Sequence, residues 1–217
     1  MPLEGKIKQI LEKALSRVDD QDGRVARLLD DANRLCNRIN RLIEMKLLPE
    51  PIDPAALELA CHALQLPMRS VVKQTTAGKL GRTNLRERAE QAAEMLVGLL
   101  TGHVDETLLE RATQLLHEMP QRTPALDEAR LLADAVNLDD FGVTGLLLQA
   151  IQLCRSGGGV AQTLDGLEKR ELYGYWEARL KEGFHFEPVR QIARQRLEHT
   201  RRVTALLLQE MKDDRVM

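Results

Sequence analysis

Apolar residues recur at three- and four-residue intervals along nearly the whole chain, and no segment alternates apolar with polar as a half-buried strand would. Between residues 24 and 48, Val25, Leu28, Leu29, Ala32, Leu35, Cys36, Ile39, Leu42 and Ile43 fall on one broad stripe, with charged residues opposite. Such spacing predicts an all-α protein. The expected helices cover about residues 5–18, 24–48, 54–66, 85–101, 105–119, most of the stretch that opens at 123, then Asp139 or Asp140 to 155, 164–181 and 187–209. Several carry start signals: Asp53-Pro54 places a cap before a first-turn proline, Asn84 and Glu87 form a capping pair, and Asp105 caps the helix after it.

Composition narrows the class further. Hydrophobic residues make up 43% of the chain but aromatics only 3%, so Leu and Ala must fill most of the core. A net charge of -2 argues against a mainly electrostatic nucleic-acid binder. Cys36, Cys61 and Cys154 are scattered and odd in number, without a C-x-x-C, which predicts buried free thiols in a reducing cytosol. The N-terminus lacks an h-region, and no run approaches the roughly 20 apolar residues of a membrane span. A cytoplasmic protein without membrane association is the expectation.

The most informative stretch is Thr123–Gly145, T-P-A-L-D-E-A-R-L-L-A-D-A-V-N-L-D-D-F-G-V-T-G. Thr123 is expected to cap a helix, Pro124 to take its first position, and Asp127 and Glu128 to complement its dipole. Asp134 sits near the edge of the apolar face, where a carboxylate either meets a partner or faces out. The pattern E-A-x-x-x-x-D-A-x-x-L-D-x-x-G-x-x-G resembles the last ligand segment of the HD-domain metal-dependent phosphohydrolases, with Asp134 on the ligand position. Near the C-terminus, Y-W-E-A-R-L-K-E-G-F-H-F-E-P-V-R-Q-I-A-R-Q-R is similar to the closing region of one bacterial branch of that family.

The resemblance implies a single HD-domain-like all-α domain over residues 21–217, with residues 1–20 as an N-terminal helical extension. It also implies a metal site made by an early histidine, a His-Asp pair and the aspartate at Asp134. Arg24 stands where the early histidine belongs, and a guanidinium has no lone pair to offer a cation. The His-Asp pair aligns with Leu64-Gln65, or with His62-Ala63 after a shift of two residues. His117 matches an extra histidine found in some members, although a lone helical histidine is more often structural. Arg24, His62, Gln65, His117 and Asp134 are therefore the ligand or pocket candidates, and Arg24 is expected to place its charge near Asp134 in place of a metal.

These substitutions favour a protein without metal-dependent hydrolysis and without a cofactor, binding a phosphorylated small molecule or a protein partner. The alternative is an active phosphohydrolase holding a divalent metal on His62, His117, Asp134 and Asp139. Two other features read as structural. T-T-A-G-K-L-G-R-T lacks the first glycine and the Ser/Thr of a phosphate loop, so its basic neighbours read as a solvated segment. Five of the six aromatics fall between Tyr173 and Phe186, the expected anchor of the last two helices.

Overall fold

The computed structural model describes residues 5–16, 26–48, 51–68, 84–155 and 157–213, with the side chains of residues 26, 27, 152 and 155 left aside. All regular structure in them is helical: α1 (Gly5–Ser16), α2 (Ala26–Glu44), α3 (Pro54–Ala63), α4 (Leu85–Leu100), α5 (Glu106–Glu118), α6 (Asp127–Asn137), a 3-10 turn (Leu138–Asp140), α7 (Gly142–Arg155), α8 (Val160–Leu172), α9 (Tyr175–Glu182) and α10 (Glu187–Asp213). The all-α expectation holds. Contacts group these helices into two compact units that divide between Ala135 and Val136, inside α6. No helix is long and apolar enough to cross a membrane among the described residues.

In the first unit α3 is the central element. Asp53 accepts from the Ala56 N–H at 3.0 Å and Pro54 begins the helix, as the sequence predicts. Every residue from Ala56 to Pro67 except Glu58 is buried, as suits a helix packed on all sides. Its neighbours are α2, α4 and α5. α2 contributes Leu28, Ala32, Leu35, Ile39 and Leu42, while α4 and α5 contribute Ala89, Ala92, Leu96, Ala112 and Leu116. The small side chains allow close approach of the backbones. α1 buries Ile7, Leu11 and Leu15 and packs on α2, so this helix is part of the unit's core.

α6 begins later than its spacing suggests. Thr123 is exposed and outside the helix, and Pro124 is buried ahead of it. The carbonyl of Leu126 accepts the first helical bond, from the Arg130 N–H at 3.1 Å. Side chains from elsewhere hold the approach: Glu118 Oε2 accepts from the Leu126 N–H at 2.9 Å, and Arg130 Nε donates to the Pro124 carbonyl at 2.8 Å. A tertiary carboxylate thus replaces the expected threonine cap.

The second unit is built around aromatic rings. Phe141 lies 5.3 Å from Trp176 and 5.4 Å from Phe184, centroid to centroid, and all three are buried. Arg170 stacks 5.1 Å from the Tyr175 ring. The helix expected over residues 164–181 is two helices, because Gly174 adopts a left-handed conformation with φ 63° between α8 and α9. The glycines after the 3-10 turn have separate reasons. Gly142 has φ 87°, and a Cβ on Gly145 would lie 2.7 Å from the carbonyl oxygens of Asp139 and Asp140.

Candidate functional site

The chemistry-bearing residues of α2 and α3 meet across their packed faces. Cys36 on the apolar stripe of α2 is half-buried, while Cys61 and His62 on α3 are buried. Cys36 Sγ lies 3.6 Å from His62 Nδ1 and 3.9 Å from the Glu58 carbonyl oxygen, to which its thiol donates. His62 Nδ1 is also 2.9 Å from the Glu58 carbonyl oxygen. A carbonyl only accepts, so Nδ1 carries the proton and presents it to both the carbonyl and the Cys36 sulfur. His62 Nε2 is buried with no hydrogen-bond partner among the described residues.

This arrangement separates the two thiols electrostatically. The hydrogen bond from Cys61 lowers the Cys36 thiol most; burial opposes it, and the hydrogen bond and charge of His62 add to the lowering, leaving a value of about 6. Burial pushes Cys61 well above the ordinary thiol range, and the neighbouring Cys36 raises it further. For His62, burial favours the neutral ring, but the hydrogen bond and charge of Cys36 and the Glu58 carbonyl outweigh it and raise the pKa. The two thiols are therefore shifted in opposite directions, Cys36 down and Cys61 up.

Asp134 is wholly buried on α6 and does not face solvent. Its helix is held along its length by the rest of the first unit. Glu128, buried in the first turn, accepts from the Asp53 N–H at 3.0 Å and pairs with Arg111 of α5. At the other end, Arg38 Nη1 of α2 donates to the Ala135 carbonyl at 2.5 Å, placing a cation where the helix dipole is negative. Arg24 lies outside the described residues. The described guanidinium that reaches α6 from α2 is that of Arg38, which the sequence shows only as one of several basic residues on the charged face.

The remaining candidates do not gather around Asp134 into a metal site. His117 is exposed on α5, and Gln65 is buried just after α3. Among the described residues no group of three or more His, Cys, Asp or Glu side chains is placed to hold a metal ion. In the second unit Asp140 pairs with Arg179 at 2.9 Å, and Arg179 also donates to Asn137 Oδ1 at 2.9 Å. The L-D-D-F-G segment therefore forms a braced turn. Of the basic residues between 69 and 88, Arg69, Lys73, Lys79 and Arg82 fall outside the described residues, and Arg88 Nε donates to the Leu64 carbonyl at 2.8 Å.

Two sequence expectations need correction. Cys154 is exposed on α7, so the thiols are not uniformly buried. Cys36 is more than a filler of the apolar stripe, since it meets His62 and the Glu58 carbonyl. The sole sequence signal for the cluster is the pair Cys61-His62 in an otherwise apolar helix, and spacing cannot show that residue 36 meets it. Compared with known proteins, the chain matches no family model, no curated protein and no solved structure.

Proposed function

We propose that the chain is a degenerate HD-phosphohydrolase-like helical protein that binds a phosphorylated ligand or a protein partner without metal-dependent hydrolysis. The observation that carries this reading is the full burial of Asp134 on a helix fixed by Arg111, Glu128 and Arg38. A buried carboxylate is costly unless it is paired, so its retention in the motif supports a specific structural or binding role. The dispersal of the other donors supports the loss of hydrolysis. His117 faces solvent, and the Nδ1 proton of His62 is committed to Glu58 and Cys36.

The test is metal content by inductively coupled plasma mass spectrometry on tag-free protein, beside Asp134→Asn. The expected result is no stoichiometric divalent metal in either. Stoichiometric metal that disappears in Asp134→Asn overturns the proposal and puts an active metal-dependent phosphohydrolase in its place.

A further inference from the structure

α9 and α10 leave between them a cavity of about 360 Å³, lined by Glu177, Leu180 and Lys181 of one helix and Arg190 and Arg194 of the other. Helical spacing accounts for both walls: residues 177, 180 and 181 share one face of α9, and residues 190 and 194 lie one turn apart on α10. All five belong to the second unit, so nothing in the cavity draws on Asp134 or on the phosphohydrolase reading. We propose that the cavity binds a small organic anion, whose carboxylate or phosphate is held by Lys181, Arg190 and Arg194 and whose hydroxyl or amine donates to Glu177.

Two of the cations are held in place by the protein itself. Glu187 accepts from Arg194 Nη1 at 3.0 Å and pairs with Arg190, whose Nη2 also donates to the Phe184 carbonyl at 2.7 Å. Phe184 is buried against Phe141, which anchors the turn from α9 into α10. One carboxylate shared by two guanidinium groups leaves positive charge in excess, and guanidinium groups already fixed lose little freedom on meeting an oxyanion. Lys181 is exposed and has no ionic partner among the described residues. Glu177 shares Arg201 with Glu171 and Glu198, so its carboxylate remains an acceptor for a donor on the ligand. Arg190 Nε is buried without a hydrogen-bond partner among the described residues, a cost that an anion beside the guanidinium offsets. Leu180 supplies an apolar wall, and the volume lies at the low end of the roughly 300–1,000 Å³ typical of small-molecule sites.

The experiment titrates glycerol 3-phosphate, malate and uncharged glycerol, at constant ionic strength, into the isotope-labelled full chain and follows its amide chemical shifts. Saturable shifts centred on residues 177–194 are expected with at least one of the two anions, and none with glycerol. The anion that responds tells whether phosphate or carboxylate is the preferred group. Lys181→Ala, at an exposed position, keeps the spectrum of the rest of the chain and weakens that anion about tenfold. Arg194→Gln weakens it similarly and serves as the second variant. The absence of a saturable shift up to about 20 mM of either anion overturns the proposal. So does an affinity that is unchanged in both folded variants.

Discussion

All six aromatic residues lie after Asp140, in the second unit, whereas Cys61, His62, Gln65, Glu128 and Asp134, the described buried residues with ionisable or amide side chains, lie in the first. The first unit packs Ala and Leu around α3. Small side chains let helices approach closely, and polar groups caught between them must find partners within the protein. Glu128 does so through Asp53 and Arg111, and His62 does so at Nδ1 alone, through Glu58 and Cys36. The second unit fills its core with Phe141, Trp176 and Phe184 and keeps its ion pairs at the rim, as where Arg201 meets Glu171 and Glu177. One unit invests its specificity in buried polar contacts, the other in ring packing. Buried chemistry is therefore sought in the first, and anion binding at the rim of the second.

The strongest challenge to this contrast is Trp176→Ala. Removing a large buried ring costs about 3–5 kcal/mol, and protection against amide hydrogen exchange should fall in α7–α10 well before α2–α5. Equal loss throughout would show one cooperative body and dissolve the comparison.

Glu128→Ala comes next. It strips the Asp53 N–H of its acceptor and leaves Arg111, about one-third exposed, without its carboxylate. Part of the ion pair is screened by solvent, so the expected loss is about 2 kcal/mol by urea denaturation. Glu128→Gln should recover part of it by accepting from the Asp53 N–H. A loss below the error of the titration would mean that the buried polar contacts of the first unit carry no specificity.

Gly145→Ala has the smallest expected effect. Its Cβ would meet the Asp139 and Asp140 carbonyl oxygens at 2.7 Å, and shifting that half-buried turn costs about 1 kcal/mol, the low end for overpacking. The shift should appear in the chemical shifts of residues 138–146. An unchanged midpoint with unchanged shifts would remove the steric reason for glycine at this position.

Much of the fold was legible because helices announce themselves locally. The stripe of α2, the Asp53-Pro54 start of α3 and the caps at Asn84 and Asp105 depend on neighbours within a turn or two. The misplaced boundaries share a different cause. The approach to α6 is fixed by Glu118, eight residues before Leu126, and by the Arg130 side chain. Between α8 and α9 the chain turns at one left-handed glycine within an otherwise helical pattern. Asp134 was legible as a marked residue, but its complete enclosure was not, because enclosure depends on what the other helices bring to it.

The sequence by itself determined that this protein is helical, where most of its helices run, and that Leu and Ala fill much of the core. Those properties follow from periodicity, capping and composition, all short-range. Only the tertiary structure decided that Cys36 meets His62, that Arg38 reaches the end of α6, and that Phe141 joins Trp176 and Phe184. Each pairing depends on the rotation and register of one element against another. Many registers satisfy the same apolar stripe, and close packing of particular side chains selects among them.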